Sequence, residues 1–390
     1  MDKIFVKTVK NDIKTELNSV GFDTVYIDEA SKKYNAQCYK IYNLKPYEAN
    51  ILKQLCLSLG FDCGVNRETI TCKCEKTNAI VFATDRQISL LIKKLRVQPF
   101  KLKFLAGELE KLTNNNKPDE LKIKNKIFNW SSPYIMGIVN ATPDSFSDGG
   151  NCYNTTDAYN HALKLIKDGA DIIDIGGEST RPNADTISPE IEIKRVIPLI
   201  KILRENNIDI PISIDTRNYE TAIEAIKAGA DVVNDVSGLD YDENLKKYII
   251  KNNIPVIIMH SNKVPATSDN FTNNDIVEEV YFSLKNKIDY VLSNSFDKKN
   301  IIIDVGIGFG KSPETCFELL KRMEEFKSLG CPILLGISRK SFIRNSFNCD
   351  FNESDNVTAL YSSTVKGVNI HRVHNVALTK KYLNYTSKLL

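Results

Sequence analysis

The sequence predicts a (β/α)8 barrel preceded by a small α/β domain, and three observations carry that prediction. Between Ile135 and Asn375 a short apolar run, a polar stop and a helical stretch recur eight times, the pattern of buried parallel strands feeding amphipathic helices. The helix-to-strand joints repeat as DGADIIDIGG (168–177), AGADVVNDVSG (228–238) and, more loosely, KGVNIHRVHNV (366–376). Each has a glycine where a left-handed helix cap costs least. Residues 112–121 read LTNNNKPDEL, the polar, proline-bearing composition of a linker.

Bulk composition narrows the function classes. The 390 residues are 42% hydrophobic and 26% charged, ordinary for a soluble globular chain. The longest apolar runs, such as 254–259, are far too short to span a bilayer. The first residues, MDKIFVKTVKND, hold scattered charges and no apolar h-region, which argues against a secretory signal. Nine cysteines without framework spacing fit a reducing cytoplasm. Cys63, Cys72 and Cys74 have no fourth ligand at a finger-like spacing. Residues 1–120 carry 20 Lys+Arg against 15 Asp+Glu and the remainder 32 against 34, so the barrel is no polyanion binder by bulk charge. Neither a membrane nor a nucleic acid is an expected partner.

Taken in order, residues 1–111 form the first domain. Strand-like 38–44 leads to helix-like 46–60. Strand-like 69–74 and 79–84 then precede helix-like 85–95, an order that one sheet and two helices satisfy. Lys93, Lys94, Arg96, Lys101 and Lys103 make a basic run that reads best as a solvated helix face. This domain shows no chemistry of its own. After the linker (112–120), the barrel domain covers 121–390. It opens with LKIKNKIFNW (121–130), two short strands about a Lys-Asn-Lys turn and a candidate plug under the barrel.

The eight apolar runs stop at Asn140, at 178–181, at Asp215, Asn234, His260 and Asp304, at 338–340, and at Arg372 with His374. In such barrels the C-terminal strand ends line the active site, so these residues are expected to face one pocket. Each has a plain structural use as well: Asp215 and Asp304 as helix caps, His260 as a core histidine. Together they say more. Two partly buried carboxylates facing one cavity need cationic or amidine-like donors, which the edge of a pterin or purine supplies. GISRKSF (336–342) sets Lys340 and Ser341 at a helix start, where free N–H groups favour an anion. Arg372 and His374 share one side of a strand. With the amide of Asn140 holding magnesium, they suit a pyrophosphate. In 136–150, Phe146 has no structural reason to sit in a polar loop unless it closes over something. The glycines of VGIGFGK (305–311) match neither a dinucleotide fold nor a P-loop. A heterocycle end and a diphosphate end together indicate transfer of a group activated as its pyrophosphate.

MGIVNATPDSFSDGG, GGESTRP, SIDTRN, NDVSGL, DVGIGFGK, GISRKSF and RVHNV, in this order, resemble dihydropteroate synthases of folate biosynthesis over about 120–390. The resemblance implies a (β/α)8 transferase. It would join 6-hydroxymethyl-7,8-dihydropterin pyrophosphate to p-aminobenzoate with Mg2+ as cofactor, by loss of pyrophosphate before attack, as a cytoplasmic homodimer open to sulfonamide competition. Position by position, it implies that Asp215, Asn234, Asp304 and Lys340 hold the pterin with Met259 nearby. Asn140 would associate with the metal and, with Arg372 and His374, with the pyrophosphate. Phe146, Thr180, Arg181, Pro182, Phe309 and Ser341 would surround p-aminobenzoate, and Asp148, Asp215 and Lys340 stand nearest the reacting atoms. Val305 replaces a usual proline, Asn375 a common aspartate, and the loop after His260 lacks its usual glycine. Two rivals share the barrel: a methyltransferase using a reduced folate, which needs neither GISRKSF nor RVHNV, and a catalytically silent barrel, which would lose its loop residues first.

Overall fold

The computed structural model describes residues 4, 6–8, 12–114, 117–141, 155–178, 186–261 and 275–388. They divide into two units, Met1–Asn116 and Lys117–Leu390, so the boundary falls inside the expected linker.

In the first unit, short helices α1 (Ile13–Ser19) and α2 (Ile27–Ser31) precede β1 (Ala36–Leu44), α3 (Pro46–Ser58), β2 (Cys63–Val65), β3 (Thr77–Thr84), α4 (Asp85–Leu95) and α5 (Leu102–Asn114). The strands form an antiparallel sheet in the order β1-β3-β2. β3 alternates strictly, burying Ala79, Val81 and Ala83 and exposing Ile80 and Phe82. The buried set packs with Leu52, Leu91, Leu95 and Leu102. α4 starts where it should, because Thr84 and Gln87 close a reciprocal capping box.

Three expectations are corrected. Residues 69–74 are not a strand: Asn66 caps a turn at Arg67–Thr69, and Cys72 (φ 54°) folds back onto the Thr69 carbonyl at 3.2 Å. Local turn bonds outweigh the β-branched composition there. The third strand is instead Cys63–Val65, whose three residues are too few to show a period. α5 was not anticipated, and it reaches Asn114, over the first residues of the expected linker. In the basic run, Arg96 pairs with Glu110 at 2.6 Å and Lys94 bonds Ser58 at 2.8 Å, as on a solvated face.

In the second unit, β4 (Leu121–Ile123) and β5 (Lys126–Phe128) make the expected hairpin, with Lys124 at φ 51° in its turn. Then β6 (Tyr134–Asn140), β7 (Ile172–Gly176), β8 (Ile212–Asp215), β9 (Val232–Asp235), β10 (Val256–Met259), β11 (Ile301–Asp304), β12 (Ile333–Leu335) and β13 (Ile370–Val373) close into a parallel barrel in sequence order. The helices between and after them are α6 (Thr155–Lys167), α7 (Pro189–Glu205), α8 (Tyr219–Ala228), α9 (Glu243–Asn252), α10 (Ile276–Ser293), α11 (Pro313–Lys321), α12 (Ser341–Phe347), α13 (Phe351–Thr364) and α14 (Val376–Thr386). The repeated joints behave as read: Gly169, Gly229 and Gly367 sit at φ 100°, 113° and 90°, where a β-carbon is penalised.

Strand residues facing outward join one core with the helices, including Ile173, Ile175, Val256, Ile258, Ile301 and Ile303. Those facing inward at the lower end, Met136, Ile172, Val232, Ile257, Ile302, Leu334 and Ile370, pack on Leu121, Ile123, Phe128 and Trp130 of the hairpin segment. The hairpin is thus the apolar floor of the barrel, and the charged side chains that face inward lie at the other end. Because the cores of the two units are separate sets of residues, a chain beginning at Lys117 is expected to melt cooperatively by circular dichroism. Absence of a transition would show that the barrel needs the first unit.

Candidate active site

A strand turns alternate side chains to the same face, so two residues beyond the apolar floor the inward positions are Ile138, Asp174, Asn234, Met259, Asp304, Gly336 and Arg372. On β8, Asp215 is the register partner of Gly176 and Asn234. One step of the same period therefore converts an apolar layer into a polar one at the C-terminal mouth.

Arg372 is the centre of that layer. Its Nε donates to Asp174 Oδ2 at 2.6 Å and its Nη2 to Asp215 Oδ2, while Asn234 Nδ2 donates to the same Asp174 oxygen at 3.2 Å. Burial opposes the guanidinium charge, but the two carboxylates raise its affinity for the proton above the ordinary arginine value. Asp215 shows the reverse balance: burial drives its pKa up to about 7 even though Arg372 pulls it down. The sequence reading put Arg372 on a pyrophosphate. The structure gives its Nε and Nη2 to two carboxylates. Asp174 was missed. Its signal was present, a carboxylate inside the apolar strand IIDIG, one period before Gly176.

Asp304 accepts from the Gly306 N–H at 2.7 Å, and burial raises its pKa against the pull of Lys340. The loop that follows bends through Gly306 and Gly308, at φ 68° and 77°. Lys311, also missed, holds it: Nζ donates to the carbonyls of Gly306 at 2.9 Å and Phe309 at 3.3 Å. Lys340 reaches the same loop, donating to the Ile307 carbonyl and lying 4.4 Å from the centroid of the Phe309 ring. Burial lowers its pKa to about 8, with Asp304 opposing. Met259, Phe309 and Val236 form a small apolar cluster of their own. Phe309, expected near the aminobenzoate, thus packs with the expected pterin contact Met259. Buried His260 is pushed down to about 3, chiefly by desolvation and then by Lys311, and it stays neutral.

Of the residues expected at the pyrophosphate, His374 is oriented by Ser338, which bonds both its backbone N–H at 3.2 Å and its Nδ1 at 3.0 Å. Asn375 caps α14 by accepting from the Leu378 N–H at 3.1 Å, so the missing aspartate charge is not what orients His374. Ser341 opens α12 behind Lys340, and Asn140 ends β6 beside Gly176. Val305 is buried in the helix-facing core. Phe146, Asp148, Thr180, Arg181 and Pro182 lie outside the described residues.

Most of the likeness to known proteins lies in this unit. The pterin binding enzyme family matches residues 136–374. A dihydropteroate synthase of Clostridium beijerinckii is 42% identical over 262 residues, 66% of this chain and 94% of that protein. A Clostridium difficile dihydropteroate synthase solved with pteroic acid superimposes with a TM-score of 0.62 at 42% identity, covering 66% of this chain and 97% of the other. A Yersinia pestis dihydropteroate synthase solved with a sulfonamide drug gives 0.65 at 30% identity, covering 70% and 99%. A probable bifunctional folylpolyglutamate synthase/dihydropteroate synthase of Haloferax volcanii is 35% identical over 84% of this chain and 40% of its own length. That share exceeds what Lys117–Leu390 makes up, so the likeness reaches into the first unit.

Proposed function

The chain belongs to the dihydropteroate synthases, pterin-binding transferases of folate synthesis, and from that premise we propose how its residues join 6-hydroxymethyl-7,8-dihydropterin pyrophosphate to p-aminobenzoate, releasing 7,8-dihydropteroate and pyrophosphate. One observation carries the reading: Arg372 binds Asp174 and Asp215 together, beside Asn234, in the layer directly above an apolar floor.

Asp215, Asp304 and Asn234 offer acceptors for the donor edge of the bicyclic ring, while Met259 and Phe309 give it an apolar wall. Lys340, with His374 and the remaining Arg372 donor, meets anionic charge. The methylene C–O bond breaks first, and the leaving diphosphate takes the electron pair. The cation spreads into the dihydropterin ring, where Asp215 supplies a negative charge to complement it, with Asp148 assigned the same task by the motif. The aniline nitrogen then adds and releases a proton, with no strong base needed. Residues 142–154 and 179–185 carry the aminobenzoate contacts in this reading (Phe146, Thr180, Arg181 and Pro182), together with Ser341. Sulfonamides compete there.

Magnesium belongs to the same reading. Among the described residues no three His, Cys, Asp or Glu side chains gather as a metal cage. The Asn140 oxygen at the strand end fits an ion that takes few protein ligands and completes its shell with phosphate and water. When bound, it would offset the diphosphate charge.

Incubating the chain with both substrates and magnesium, and following dihydropteroate directly, tests the whole assignment, and absence of product would overturn it. The pH profile is a sharper check. Activity needs Asp215 ionised, so it should fall below about pH 7. It also needs Lys340 charged, so it should fall above about pH 8. A kcat/KM profile flat from pH 6 to 9 would remove both groups from these roles. Lys340→Ala should weaken binding of the pterin pyrophosphate about 10- to 100-fold by calorimetry and abolish the alkaline limb.

We also place the enzyme in the cytoplasm as a homodimer. α12 and α13 expose Phe347, Phe351 and Leu360 around the contacts of Phe317 with Phe347 and Tyr361, a patch suited to a second copy. Sedimentation at monomer mass, unchanged in Leu360→Asp, would count against it.

A further inference from the structure

In the sequence, residues 179–185 are flanked by two described stems, Gly177–Glu178 before and α7 after. Both stems are tied to one turn, 216–218, which follows Asp215 directly. Glu178 pairs with Arg217 at 3.1 Å, and both side chains are buried. The guanidinium carbon of Arg217 lies 4.3 Å from the centroid of the Tyr241 ring. From the other stem, fully buried Glu192 collects three donors on one oxygen: Thr216 Oγ1 at 2.9 Å, Asn218 Nδ2 at 2.9 Å and Thr221 Oγ1 at 2.6 Å. Arg195 Nη1 then donates to the Gly177 carbonyl at 2.8 Å, joining the two stems directly. Gly177 has no room for a side chain, since a β-carbon would meet Glu192 Cγ and Val196 Cγ1 at 2.9 Å. The turn itself is held to the barrel by the Thr216 N–H on the Asn234 carbonyl at 3.1 Å.

We propose that Arg217, clamped between Glu178 and Tyr241, is a positioning residue for p-aminobenzoate, registering the stem before Thr180, Arg181 and Pro182 against the turn that carries Asp215. The proposal rests on the reading of those three residues as aminobenzoate contacts. In this proposal Arg217 acts through Glu178. Its loss leaves the hydrogen bonds among Arg372, Asp174 and Asn234 in place but removes the direct ion pair between Glu178 and the turn, leaving that stem held only indirectly through Arg195 and α7. A general loss of packing would disturb both substrates alike; loss of this registration disturbs one.

The test is steady-state kinetics of the full chain with each substrate varied in turn. Arg217→Met should raise the KM for p-aminobenzoate about tenfold and leave that for the pterin pyrophosphate within about twofold, the size expected of coupling through packed networks. Arg217→Lys, which still offers Glu178 a charge, should recover most of the difference. If Arg217→Met does not fold, Tyr241→Leu takes its place, with a rise of about threefold confined to p-aminobenzoate. Both KM values rising together, or neither rising, overturns the positioning role. Product from the unaltered chain keeps that failure separate from failure of the functional reading, whereas absence of product from it overturns both.

Discussion

Asp215→Asn is expected to lower kcat by about 10²- to 10³-fold, the cost of removing one preorganised charge facing a developing cation, while the fold survives. The asparagine oxygen can still accept from Arg372 Nη2, and Arg372 keeps Asp174 as its counter-charge. The buried layer therefore retains its hydrogen bonds and loses one unit of negative charge at the mouth. Near-UV circular dichroism should match the parent, and the pterin pyrophosphate should bind more weakly than in the parent but still measurably, since Asp304, Asn234 and Lys340 remain while the ring edge loses one charged acceptor. The acid limb of the pH profile should vanish with the carboxyl that causes it. Near-normal turnover would remove Asp215 from cation stabilisation.

Arg372→Met should be the most disruptive single substitution in the barrel. It leaves two carboxylates facing one another with their common cation gone, and breaking a buried pair by deleting one member costs about 3–5 kcal/mol, a fall in Tm on the order of 10 °C for a unit of this size. The pH dependence gives the mechanism away. Burial holds Asp215 up to about 7 even with Arg372 present, and deleting the cation removes the influence that lowers it. A carboxyl whose folded pKa exceeds its unfolded one binds more protons in the folded state, so stability falls as pH rises between the two values. The deficit relative to the parent should be small near pH 5 and large near pH 8 by calorimetry. A deficit independent of pH would point to lost packing of the arginine stem.

Much of this site was legible beforehand because barrels convert local pattern into position. An apolar run with period two, ended by Asp215, Asn234 or Asp304, already says which side chain faces inward and at which end. The glycines at 169, 229 and 367 announced their positive φ through their place between a helical and an apolar run. Asp174 escaped because it lies within its run rather than at the stop. Ser338 is legible at the stop of its run, but its bond to His374 is not, and Lys311 escaped altogether, because these roles are bonds to a histidine and to loop carbonyls distant in sequence or set by turn geometry. In the first unit, the turn at Asn66 defeated a strand-like composition, and three-residue β2 left no period to read.

The chain by itself determined the eightfold β/α order, the apolar floor segment, the polar residue at each strand end and the family these motifs define, because periodicity, caps and breakers act over a few neighbouring residues. Tertiary structure alone decided that Arg372 neutralises Asp174 and Asp215, 198 and 157 residues away, that Lys340 rests on Ile307 and Phe309, and that Glu192 and Arg217 tie two stems to one turn. Those pairings arise only when the barrel closes and excludes water, for it is desolvation that makes each buried charge require its partner.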